Sequence, residues 1–89
     1  MLTSAAKREL KARAHALKPV VLVGQRGLTP AVIASVDEAL NAHELIKVRL
    51  PAGERAERVL QADGMASRLL ADVVASIGRV VVLYRQRPA

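Results

Sequence analysis

Apolar residues along this chain keep two different rhythms, and the switches between them divide it into seven segments. From about Ser4 to Leu17 the spacing is helical: Ala6, Leu10, Ala14 and Leu17 share one side, and Lys7, Lys11, His15 and Lys18 follow a neighbouring row. Thr3 or Ser4 can cap this helix, and Pro19 stops it, because its ring disfavours helical geometry at Lys18. Val20 to Val23 have no polar interruption, the pattern of a strand covered on both faces, although a run so short also fits a fragment of another element. A second helix starts with Thr29 as cap, Pro30 at the first helical position and Leu28 able to pack on Ile33 as a staple. Val32, Ile33, Val36, Ala39 and Leu40 form its apolar stripe, Asp37, Glu38 and Asn41 face outward, and it should end near His43.

Leu45 to Leu50 alternates, so Ile46, Val48 and Leu50 point inward and Lys47 and Arg49 lie on the other face. Pro51 and Gly53 mark a turn before a third helix, Glu54 to Leu70, with Ala56, Val59, Ala62, Ala66 and Leu69 on one face; Gly64 weakens it by about 1 kcal/mol relative to alanine. Asp72 to Ile77 and Val80 to Arg85 are strands joined by Gly78-Arg79, whose leading glycine suits a type II′ hairpin. The tail Gln86 to Ala89 is expected to be loose. The order αβαβαββ predicts an α/β fold of the mixed α+β kind, with helices packed on a mixed sheet.

Length and charge narrow the reading. A chain of 89 residues makes one small domain, read here as residues 1–89 with an ordered core of about 3–86 and room for a single core. Hydrophobic residues are 52% of it, enough to fold, while 14 Lys and Arg against 8 Asp and Glu give a net charge of +6 and point to acidic partners. The charge is uneven: net +5 over residues 1–26, −3 over 27–46 and +4 over 47–89. With zero cysteines, disulfides, zinc thiolates and thiol catalysis are excluded, and His15 and His43 are too isolated to ligate a metal. No apolar run approaches the ~18 residues of a membrane span, so the expected location is the cytoplasm.

The chemistry concentrates in Gly24-Gln25-Arg26-Gly27, a G-x-x-G between a strand and a helix start. Such a sequence alone is more often an ordinary tight turn. Here it leads into a capped helix and carries Arg26, so backbone N–H groups and the helix dipole could hold a phosphate, with Arg26 adding a charged fork. Lys7, Arg8, Lys11 and Lys18 read as a solvated helix face or as further cation contacts. The binding reading gains from the expectation that the last turn of the first helix lies near the loop. Lys47 and Arg49 are similar candidates, against an exposed sheet edge or pairing with a carboxylate; Arg79 and Arg85 are weaker ones. Tyr84 is the sole aromatic residue and sits in an apolar run, so base stacking is disfavoured and, with a nucleic-acid phosphate as the expected anion, recognition of backbone shape is favoured. No serine has a His-acid partner pattern and the loop lacks a P-loop's Gly-Lys-Ser/Thr ending, so no enzyme is expected.

Three blocks resemble the CRM domain family of chloroplast splicing factors and bacterial YhbY-like proteins: Leu17 to Thr29, His43 to Val48, and Ile77-Gly78-Arg79 leading to Val82-Leu83-Tyr84-Arg85. The resemblance implies a four-stranded mixed sheet with three helices, similar to the C-terminal domain of bacterial translation initiation factor three. It also implies an RNA-contacting loop at Gly24, Gln25, Arg26 and Gly27. By the same resemblance the expected role is a non-enzymatic assembly factor for the precursor of the large ribosomal subunit, binding rRNA; separately, the protein is expected to be a monomer with no cofactor or small-molecule substrate. A basic module that meets an acidic protein, or a sequence-indifferent DNA binder, are the alternatives. The chain departs from its relatives where they often have Thr-Gly at the end of the third helix and it has Leu69-Leu70. It departs again where they often have Thr and it has Val80.

Overall fold

A computed structural model describes residues 2–87. Helix α1 covers Ser4–Ala14, strand β1 Pro19–Leu22, α2 Pro30–His43, β2 Leu45–Arg49, α3 Arg55–Leu69, β3 Asp72–Ile77 and β4 Val80–Tyr84. The strands form one mixed sheet in the order β1-β2-β4-β3, with β1 parallel to β2 and the other two pairings antiparallel. The expected αβαβαββ architecture is therefore the one observed.

The sheet divides the apolar residues into two clusters, not the single core expected. On one face α2 and α3 bury Val36, Leu40, Ala62, Met65, Ala66 and Leu69 against alternate residues of the strands, among them Ile46, Val48, Val81 and Leu83. On the other face α1 contributes Leu10 and Ala14, which meet Leu45, Val74 and Val82. A strand offers its side chains to both faces, and here helices cover both.

Local signals account for the helix starts. The Thr3 hydroxyl accepts from the Ala6 amide at 3.0 Å, and the Thr29 hydroxyl from that of Val32 at 3.2 Å, each satisfying an orphan amide of a first turn. Pro30 follows directly, where its missing N–H costs nothing. Gly78 has φ +60° while Arg79 does not enter the positive-φ region, which matches a type II′ hairpin.

Four expectations need correction. Helix α1 stops at Ala14 instead of Leu17: the Leu17 amide bonds the Ala14 carbonyl in a tight turn at 2.9 Å, which frees the chain to extend before Pro19. Strand β1 is an edge strand with only Val21 buried in it, because α1 leaves this edge uncovered; Val20 and Leu22 are 52% and 69% exposed. The buried face of α3 is Ala62, Met65, Ala66 and Leu69, while Ala56 and Val59 in its first turns are exposed. Gln86 and Arg87 have no regular structure, yet Glu44 accepts from the Arg87 amide at 2.7 Å; the rest of the expected loose tail lies outside the described residues.

The end of α3 is set by Leu70 in the left-handed region, φ 53° and ψ 41°, with the Ala71 amide bonded back to the Ala66 carbonyl at 2.9 Å. This closure usually takes glycine. Gly64 sits where a Cβ would come 3.2 Å from Leu28 Cδ1, so its lack of a side chain lets α3 approach the segment leading into α2.

Candidate nucleic-acid interface

The G-x-x-G loop hangs from the carboxyl end of β1. The Val23 amide bonds the Arg49 carbonyl at 2.8 Å, the last tie to β2, and the chain then leaves the sheet. The Gly27 amide donates to the Gly24 carbonyl at 3.0 Å, closing a tight turn around Gln25 and Arg26, and the Thr29 amide donates to the Gly27 carbonyl at 3.0 Å. Gly27, at φ +74°, makes the reversal that a side chain would resist. The two glycines differ in kind. Gly24 lies outside the positive-φ region and a Cβ there would meet nothing within 4 Å, so neither backbone strain nor space calls for glycine at that position.

Gly24, Gln25 and Arg26 are exposed, and with Gly27, Thr29 and Pro30 they line a shallow concavity at the start of α2. Three consecutive amides, those of Gly24, Gln25 and Arg26, have no acceptor among the described residues. Arg26 forms no ion pair there, and none of the residues lining the concavity is a carboxylate. Unspent N–H groups, the positive end of a helix of 14 residues and a free guanidinium thus share one open surface. Chemically, that surface favours an anion.

The remaining cations do not all join it. Arg49 comes nearest: it pairs with Leu22 across β1 and β2, two residues before Gly24, and is exposed, but it lies on the α1 face of the sheet and does not line the concavity. Lys18 lies at the other end of β1, six residues before Gly24 or about 20 Å of extended chain. Lys47 joins that end, its Nζ donating to the Leu17 carbonyl at 3.0 Å. Lys7, Arg8 and Lys11 are exposed on α1; Lys11 is in its last turn, which packs on Leu45 at the start of β2, about 13 Å along the strand from Arg49, and Lys7 and Arg8 lie nearer its amino end. The expectation that this turn lies near the loop is therefore corrected: a helix running back over the sheet delivers its carboxyl end to the amino end of β1.

Arg85 is committed to the fold. Its guanidinium donates to Asp37 Oδ1 at 2.8 Å, Asn41 Oδ1 at 2.9 Å and the carbonyls of Leu69 and Asp37 at 3.0 and 3.2 Å, which ties the end of β4 to the second half of α2 and the end of α3. Tyr84 is half-buried against the α1 cluster, so it is no platform for a base. Among the described residues there is no group of three or more potential metal ligands and no helix long and apolar enough to cross a membrane. Arg55 and Arg58, at the start of α3, reach the same end of the sheet as the loop and were not singled out by the sequence pattern. The one signal for them was the net charge of residues 47–89, too diffuse to select a side chain.

The model of the CRS1/YhbY (CRM) domain matches residues 2–85. The chain belongs to this family. Over 87 residues it is 42% identical to a protein of Pseudomonas aeruginosa named a probable RNA-binding protein, spanning 98% of this CRM-domain chain and 84% of that one. Over 84 residues it is 42% identical to a Haemophilus influenzae protein named an RNA-binding protein, spanning 94% and 85%. The solution structure of a hypothetical Staphylococcus aureus protein, described as a candidate RNA-binding protein, superposes with a TM-score of 0.89 at 29% identity. That match covers 100% of this chain and 93% of the other.

Proposed function

We propose that this CRM-domain protein binds structured RNA through the Gly24–Gly27 loop and acts by occupancy, as an assembly factor on rRNA of the large-subunit precursor. The observation that carries the reading is the exposed turn with three unspent amides and an unpaired Arg26 at the start of α2. Relatives over nearly the whole chain are named for RNA binding, which favours a nucleic-acid phosphate as the anion. With Tyr84 half-buried, stacked single-strand bases have no aromatic support, and the backbone of a folded RNA is the better fit.

The test is salt-dependent binding to rRNA fragments from the large subunit, measured beside a DNA duplex of matched length. The log of affinity should fall against log salt with a slope of about −3 to −5, corresponding to roughly four to six phosphate contacts. Gln25→Asp with Arg26→Asp should weaken rRNA binding sharply and leave thermal unfolding nearly unchanged, since both side chains are exposed. A flat salt response, or unaltered binding by that variant, refutes the site.

A further inference from the structure

A second cationic concavity lies at the same end of the sheet, on the other side of β2 from the loop. Its floor is Leu50 and Val81, and Arg55 and Arg58 from the start of α3 face Ser76 and Gly78 of the β3-β4 hairpin across it. Arg79 stands beside it. Two of these arginines are fixed by the backbone: Arg79 Nε donates to the Leu50 carbonyl at 3.1 Å, and Arg58 Nη1 to the Gly53 carbonyl at 2.6 Å. Each tie spends one of five N–H donors and leaves the rest of the planar fork available. The Arg55 side chain makes no hydrogen bond, and none of the three forms an ion pair, among the described residues. Glu57, the residue before Arg58, lies with its carboxylate over Gly53, whose carbonyl Arg58 holds, and forms no ion pair with these arginines among the described residues.

We propose that Arg55, Arg58 and Arg79 form a second phosphate-binding site, which takes the backbone of the same RNA that the loop holds. This inference rests on the RNA reading above and extends it to a second contact. Arginine, unlike lysine, presents a rigid fork matched to two phosphate oxygens, and a fork already tied to a carbonyl loses less freedom on binding. Gly78 keeps the hairpin rim free of a side chain, with nothing within 4 Å of where one would begin. From the loop at β1 to the hairpin between β4 and β3 is two to three strand spacings, about 12 Å. Two anion sites so placed, on one end of one rigid sheet, suit two separated phosphates on the backbone of a folded RNA.

The experiment measures binding of an RNA hairpin with a duplex stem by four proteins across a salt series: the parent, Arg55→Gln/Arg58→Gln/Arg79→Gln, Arg55→Gln alone, and Gln25→Asp/Arg26→Asp. Thermal unfolding of each is recorded in parallel. The triple variant should bind about ten-fold or more weakly with a salt slope shallower by about 2, and Arg55→Gln alone should lose nearly 1 in slope. Because the Arg55 side chain makes no hydrogen bond among the described residues, its single variant reports on RNA even if the triple variant unfolds. Parent-like affinity and slope in the arginine variants, with binding lost in the loop variant, overturns this site and leaves the loop standing. Loss in the arginine variants with the loop variant unaffected does the reverse. If the arginine variants keep RNA binding but lose binding to polyglutamate, the concavity serves an acidic protein and the proposal is overturned.

Discussion

Leu70 closes α3 in the left-handed region and is 87% exposed, so replacing it with glycine should stabilise the protein. A side chain at φ 53° and ψ 41° crowds its own carbonyl, at a cost of roughly 1–2 kcal/mol. Glycine removes that cost but gives back roughly 0.5–1 kcal/mol through the greater freedom of the unfolded chain. The exposed leucine contributes little burial to lose, which leaves a net gain of about 0.5–1 kcal/mol, or a rise in melting temperature of about 2–8 °C. Calorimetry or thermal circular dichroism on the parent, Leu70→Gly and Leu70→Ala separates strain from side-chain loss. Alanine keeps the Cβ and should melt close to the parent. If Leu70→Gly melts at or below the parent temperature, the strain at this helix end is absent and the reasoning fails.

Other expectations follow from the loop and from Arg85. Gly24→Ala should leave thermal unfolding unchanged and weaken RNA binding, since a Cβ there meets only open space in the free protein; Gly27→Ala, at φ +74°, should lower stability by about 1 kcal/mol. Equal melting temperatures for the two variants would refute this division. Arg85→Met should cost about 2 kcal/mol, because it strands the carbonyl of Leu69 and the side chains of Asp37 and Asn41; the figure is held down by the half-exposed Asp37 partner. Chemical denaturation that gives the parent midpoint and slope for Arg85→Met would show those bonds to be dispensable.

What the sequence made legible was local. Thr3, Thr29-Pro30 and Gly78 each act within three or four residues, so cap, first helical position and hairpin could be read from neighbours alone. The choice of sheet face could not. Val20 and Leu22 look like core in the sequence, but whether they are covered depends on where α1 crosses the sheet, and α1 crosses away from β1. Ala56 and Val59 continue the apolar face of α3 in sequence, yet both are exposed, and Val59 lines an open concavity between α3 and the β3-β4 hairpin. Arg85 meets a partner 48 positions away at Asp37, and Lys47 one 30 positions away at Leu17, separations at which periodicity carries no signal. For the same reason the loop was visible as a motif while its neighbours were not: Arg49 arrives by strand pairing and Arg55 and Arg58 by the packing of α3, whereas Lys18, closer in sequence, lies at the far end of β1.

Main-chain amides are the core of the account, and they can be watched directly. In a titration of nitrogen-15-labelled protein with a large-subunit rRNA fragment, followed by amide chemical shifts, the largest changes should fall on residues 24–29 and at the start of α2, with smaller ones near Arg49 and the β3-β4 hairpin. Shifts that concentrate instead around Lys18 and Lys47, or along α1, with residues 24–29 still, would contradict it.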